Sequence, residues 1–150
     1  MLQVIAEIRK NEHQYMEVLK EEGQEFFYRK ERYGSEFSFI AIYCECKIAI
    51  DFNELKKRLR STDKFITLND KLHCIIQDSV DEEHYIKAAE NINYNLLHLN
   101  SNNDYYISTI HSKEYEAKDY ANMIYELFCR LEDALENNLK NIVVYQDFVI

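Results

Sequence analysis

The chain has 150 residues, 47% hydrophobic and 30% charged, with 12 Tyr and 8 Phe but no Trp; this is enough apolar material for one self-sufficient core without disulfides or a structural metal. A net charge of −9 and a pI near 5.0 exclude a nucleic-acid role built on the overall field, because such a chain repels a phosphate backbone. No window of about 18 apolar residues is present, and MLQVIAEIRKNEHQ reaches charge too early for a secretory signal, so the expectation is a cytoplasmic chain with no membrane partner.

Residues 2 to 33 read as helix, with Ile5, Ile8, Tyr15, Leu19, Phe26 and Phe27 forming an apolar stripe that a kink or break at Gly23 should interrupt. FSFIAIYC, Phe37 to Cys44, is continuously apolar and predicts a central strand covered on both faces. Asp51 and Glu54 resemble a helix-capping pair ahead of Leu55 and Leu59. KFITLNDKLHCIIQD places two apolar runs around Asn69-Asp70, residue types that make a tight turn, and predicts an antiparallel hairpin. Ser79 to Glu82 matches a capping box and opens a helix with Tyr85, Ala89, Ile92, Leu96 and Leu99 on its buried face. Tyr105 to Ile110 predicts a strand, a helix from Asp119 carries Tyr120, Ile124, Leu127, Leu131 and Leu135, and Ile142 to Tyr145 is the closing strand. The order predicts an α/β fold, a single mixed sheet flanked by helices. With two Gly and no Pro, turns fall to Asn and Asp.

Four cysteines, Cys44, Cys46, Cys74 and Cys129, are expected as reduced thiols in a chain of this kind. Cys44 and Cys46 beside His73 and Cys74 are soft ligands, but their spacing is not that of a zinc chelate, and small core residues are the expected role. His13, His84, His98 and His111 have no nucleophile or acid at a telling spacing. No cofactor is called for.

Arg32 to Lys47, RYGSEFSFIAIYCECK, resembles the first core strand of GGDEF (diguanylate cyclase) domains, RYGxPFSLILLDIDxFK. RSTD, Arg60 to Asp63, is similar to the family's RxxD inhibitory-site motif, and Asn69-Asp70 follows at the spacing of the two signature glycines. KAAENI (Lys87 to Ile92), IST (Ile107 to Thr109) and LENNLKNIVVY (Leu135 to Tyr145) resemble later family segments in the same order. The resemblance implies a palm-like fold with a ferredoxin-like βαββαβ core over residues 34–150, preceded by a helical extension over 1–33.

The departures from the pattern matter as much. In the family, carboxylates at the strand end and in the hairpin hold Mg²⁺ against a triphosphate, since phosphoryl transfer needs charge neutralisation and in-line positioning. Here the first of these acids falls on Tyr43 and the hairpin acid on Lys71, while the second strand acid is Glu45. The glycines become Asn69 and Asp70, which add bulk and negative charge toward a phosphate. A one-residue slip would put Asp70 on the acid and leave the other losses standing. Only eleven residues separate Ile48 from Arg60, too few for the family's guanine-binding segment, and the LTGLxNR element has no counterpart.

The resemblance therefore implies a non-enzymatic regulatory or protein-interaction module of bacterial signalling, with a protein partner or a second copy of itself. It also implies two alternatives. One is a cyclic di-GMP receptor using Arg60 and Asp63, an Arg gripping phosphate or stacking on guanine and a carboxylate accepting from its edge; the family's supporting arginine falls on Asn91. The other is a nucleotide-processing enzyme with a remodelled site.

Overall fold

A computed structural model describes residues 1–47, 50–115 and 119–146. In chain order it has α1 (Leu2–Tyr33), β1 (Phe37–Glu45), α2 (Phe52–Lys56), β2 (Lys64–Thr67), β3 (Leu72–Asp78), α3 (Tyr85–Leu99), β4 (Asp104–His111), a 3₁₀ turn (Ser112–Glu114), α4 (Tyr120–Glu136) and β5 (Val143–Val144). The strands form one sheet in the order β2-β3-β1-β4-β5. Every neighbouring pair is antiparallel except β4 with β5. The crossovers β1-α2-β2 and β3-α3-β4 interlock, each leaving room for a strand of the other, and this is the ferredoxin-like core that the family resemblance implies.

β1 is the central strand, and all but its last residue are buried. Strand alternation sends Phe37, Phe39, Ala41 and Tyr43 to a core with α1 and α4, and Ile40, Ile42 and Cys44 to a second core with α2 and α3. A continuously apolar strand is what this double cover requires.

Helix α1 runs continuously through Gly23, so residues 2–33 are one long helix and not two shorter ones. Gly23 is a seat rather than a breaker: a Cβ there would stand 2.6 Å from Cζ of Phe27. Phe27 stacks on Tyr120 at 3.9 Å between ring centroids and packs against Phe37 and Phe39, so its ring has no room to move away. A left-handed Gly34 (φ 71°) ends the helix, with its N–H and the next residue's returning to Lys30 and Arg29 carbonyls. The helix is bound along its length, through Arg9 to Glu132 at 3.3 Å, Lys64 to Glu22 at 3.2 Å and Arg29 to Asp78 at 3.2 Å. Residues 2–33 and the sheet thus share one core.

Two other boundaries differ from the sequence reading. Helix α3 begins at Tyr85 instead of near Ser79, because the Asp81 carboxylate accepts from the Glu83 N–H and the His84 ring and makes a turn there. Ser79 itself takes a positive φ of 53°. The β2–β3 turn spans four residues: the Leu68 and Asn69 N–H groups both donate to the Leu72 carbonyl, and the Asn69 side chain accepts from Lys71 and Leu72 N–H. Asn69 therefore turns the chain with its side chain, whereas Asn138 and Asn141 do so with left-handed backbone.

Candidate functional site

Two cavities contain the residues singled out from the sequence, at opposite ends of the sheet and on opposite faces. The first, about 430 Å³, lies where the end of β1 meets the β2–β3 turn. Tyr43, Asn69, Asp70 and Lys71 line it together, and the first turns of α1 close it with Gln3, Val4, Glu7 and Ile8. Asn69 Nδ2 donates to the Tyr15 hydroxyl at 2.9 Å, so the turn is fastened to the helix. The Lys71 carbonyl accepts from the Cys44 N–H at 2.8 Å, which fastens the turn to β1 as well.

The Tyr43 ring is buried and 6.4 Å from that of Tyr106. Burial first, then the charges of Glu45 and Glu7, holds its phenol above the ordinary range, so it stays a neutral hydroxyl. Glu45 is exposed at the strand end and does not line the cavity. Among the described residues no three His, Cys, Asp or Glu side chains converge as metal ligands. Ile48 lies outside the described residues. Chemically, this cavity offers a phenol, two amides, an ammonium and two carboxylates.

The second cavity, about 560 Å³, lies between the turn after α2, the end of β3 and one face of α3. Arg60 and Asp63 are brought into direct contact there. The Asp63 carboxylate, 3% exposed, accepts from the Arg60 N–H at 3.0 Å, the Asp78 N–H at 3.0 Å and Arg60 Nη2 at 3.3 Å. Arg60 also donates to the Asp78 carbonyl, yet its side chain remains 55% exposed. Asp63 is thus the anchor of the turn and Arg60 the group presented to solvent.

Further polar residues line this cavity that the sequence did not single out as a site: Arg58, Gln77, Lys87 and Asn95, together with Ser79, Asp81 and His84 from the turn before α3. Asn91, where the family has a supporting arginine, lines it too. Arg58 reaches Asn95 Oδ1 at 3.1 Å. Gln77 is buried, and its Oε1 has no hydrogen-bond partner. Lys87, Asn91 and Asn95 recur every four residues, one helical face, and that spacing was the available signal. Three cations, Arg58, Arg60 and Lys87, thus share this cavity with two carboxylates, Asp63 and Asp81.

The zinc grouping weighed from the sequence is not assembled. Cys74 faces the α1–α4 core, whereas Cys44 and Cys46 belong to the α2–α3 side. Cys44 and Cys46 are brought within disulfide reach, their Cα atoms 5.2 Å apart, a pairing that the expectation of four reduced thiols did not include; Cys74 and Cys129 are apart from them.

No family model matches the chain, and no curated protein does. Its architecture is that of the palm-like proteins, a ferredoxin-like sheet with the hairpin turn beside the end of the central strand. Within that class the solved structures it resembles are GGDEF domains. One, described in a novel mode of interaction between a microbial GGDEF domain and cyclic di-GMP, superposes with a TM-score of 0.61 at 8% identity over 81% of this chain and 86% of that one. The GGDEF domain of YfiN (TpbB) from Pseudomonas aeruginosa gives 0.60 at 10% identity, over 81% and 89%. The active GGEEF domain of a diguanylate cyclase from Vibrio cholerae gives 0.56 at 14% identity, over 82% and 90%. The chain has the GGDEF-domain fold.

Proposed function

We propose that this chain is a GGDEF-fold domain without cyclase chemistry, acting in bacterial signalling as a cytoplasmic regulatory module through a protein partner or a second copy of itself. The observation that carries this reading is the composition of the cavity at the end of β1. Tyr43 and Lys71 stand where the resemblance puts metal-binding carboxylates, and a lysine ammonium repels the divalent cation on which phosphoryl transfer relies. Glu7 and Asp70 share the cavity, but no third ligand joins them among the described residues. The first turns of α1 occupy space beside the hairpin turn, which further limits room for a triphosphate.

A second reading, a cyclic di-GMP receptor, is favoured by the larger cavity. Arg58, Arg60 and Lys87 supply positive charge for phosphates, and Gln77 adds an unpartnered buried carbonyl oxygen that can accept from a guanine edge. One structural neighbour, the GGDEF domain of DgcB from Caulobacter crescentus, is described in complex with cyclic di-GMP, with a TM-score of 0.59 at 8% identity over 79% of this chain and 80% of that one.

Calorimetric titration of the chain with cyclic di-GMP and, separately, with GTP and Mg²⁺ tests both readings. The first predicts no heat of GTP·Mg²⁺ binding at the β1 cavity. The second predicts micromolar cyclic di-GMP binding that falls at least tenfold in Arg60→Ala while the circular dichroism is unchanged. Cyclic di-GMP binding that Arg60→Ala leaves intact would sink the receptor reading.

A further inference from the structure

Cys44 and Cys46 line neither cavity, and their chemistry is unused by the function proposed above. Cys44 is the penultimate residue of β1, fully buried in the α2–α3 core. Cys46 is half-buried at the start of the segment leaving the strand and packs on the same core. Residues two apart on a strand share a face, with Cα atoms about 6.6 Å apart when fully extended. Here the separation is 5.2 Å, because the chain bends after Glu45, and that lies inside the range a disulfide spans. Other thiols do not compete. Cys74 is wholly buried on the opposite face, and burial pushes its thiol far above the ordinary range. Cys129, beside Tyr125 on α4, is half-buried, and its thiol is raised by burial as well.

We propose that Cys44 and Cys46 are a reversible thiol–disulfide site that takes small thiols and disulfides of the glutathione class. Two observations make the bond reversible rather than structural. It closes a loop over the single residue Glu45, so cross-linking removes little freedom from the unfolded chain and contributes little stability. One sulfur belongs to a half-buried residue, which gives an attacking thiolate its point of approach.

Both directions pass through Cys46. In oxidation the Cys46 thiolate attacks oxidised glutathione, releasing one glutathione thiolate and leaving a mixed disulfide on Cys46. The Cys44 thiolate then attacks Cys46 Sγ and displaces the second glutathione thiolate. The protein loses two protons and two electrons, and one oxidised glutathione becomes two reduced ones. Reduction is the reverse, with a glutathione thiolate attacking Cys46 Sγ and a second resolving the mixed disulfide. The pair sits at the strand end whose Cys44 N–H donates to the Lys71 carbonyl, next to Lys47, whose N–H donates to Asn103 Oδ1 at 2.9 Å.

The test is a redox titration of the folded chain in glutathione buffers, quenched with an alkylating agent and read by peptide mass. Trypsin yields Tyr33 to Lys47 as one peptide containing both cysteines. The expected result is that this peptide converts from a doubly alkylated form to an unalkylated form two hydrogens lighter, reversibly, with the two-electron dependence on glutathione ratio. In Cys46→Ser the Cys44 thiol should stay unmodified in the folded chain. The proposal is overturned if the wild-type peptide remains a dithiol at every ratio, remains a disulfide at every ratio, or stops at a mixed disulfide on Cys46. Cyclase and cyclic di-GMP assays do not bear on this result.

Discussion

Asp63 takes three hydrogen bonds on a carboxylate that solvent barely reaches, and two of the donors are backbone N–H groups, of Arg60 and Asp78. Replacing it with Ala orphans both, and a buried donor without a partner costs about 1–3 kcal/mol. We expect Asp63→Ala to lower unfolding free energy by about 2 kcal/mol in a urea titration, while Arg60→Ala, which removes a largely exposed side chain, costs far less. Loss of ligand in the Asp63 variant would therefore be ambiguous, and Arg60, Arg58 and Lys87 are the informative positions. His73 makes a second residue-scale prediction. It stacks against Phe52 and Phe65, and burial first, with Lys56 adding to it, lowers its pKa despite the acceptor at the Asp70 carbonyl. A folded pKa below the unfolded value means that the unfolded chain binds the proton more readily. This contribution is complete above the unfolded value of about 6.5 and is lost as pH falls from there toward the folded pKa. Melting temperature should fall over that interval, and His73→Gln should flatten the drop; an unchanged slope in the variant would remove His73 as its cause. The RxxD pair was legible in the sequence because its members sit three apart on one turn. Arg58, Gln77 and Lys87 meet only once α2, β3 and α3 are folded together, and no local pattern records that.

At the scale of elements, α1 is the most instructive. Its apolar stripe was plain in the sequence, but Gly23 pointed to a break because glycine costs about 1 kcal/mol in a helix interior. What the sequence could not show is that Phe27, one turn on, needs the missing Cβ. Phe27 in turn touches Phe37, Phe39 and Tyr120, so it joins α1 to β1 and α4. Phe27→Ala should destabilise the chain by about 3–5 kcal/mol, the range for emptying a buried aromatic site. A denaturant midpoint shifted by less than a third of that would show that α1 packs more loosely than described. The late start of α3 is the converse case. Ser79-Val80-Asp81-Glu82 has the composition of a capping box, but Asp81 is two residues nearer the helix and spends its carboxylate on Glu83 and His84. A motif fixes residue types, whereas the competition between two acceptors is decided by geometry.

For the molecule as a whole, the strands and a mixed sheet were legible because each strand declared itself by apolar run or alternation, whereas the order of strands across the sheet followed only from the family resemblance. How α1 sits on the sheet was not legible. It contributes Ile5, Ile8, Tyr15, Leu19, Phe26 and Phe27 to the larger core, so residues 34–150 alone would expose the matching face of β1, β3 and α4. That fragment should be insoluble or rapidly cleaved in limited proteolysis, and a stable, monomeric fragment would contradict the shared core. The whole molecule also separates two cavities: one at the β1 end closed by α1, and one between the turn after α2, β3 and α3. The proposed loss of cyclase chemistry at the first leaves binding at the second independent of it. The most direct measurement of the central proposal is prolonged incubation of the chain with GTP and either Mg²⁺ or Mn²⁺, with nucleotide products resolved by mass spectrometry. The account predicts GTP unchanged relative to a protein-free control. Formation of cyclic di-GMP that rises with protein concentration and disappears in Glu45→Gln would contradict it.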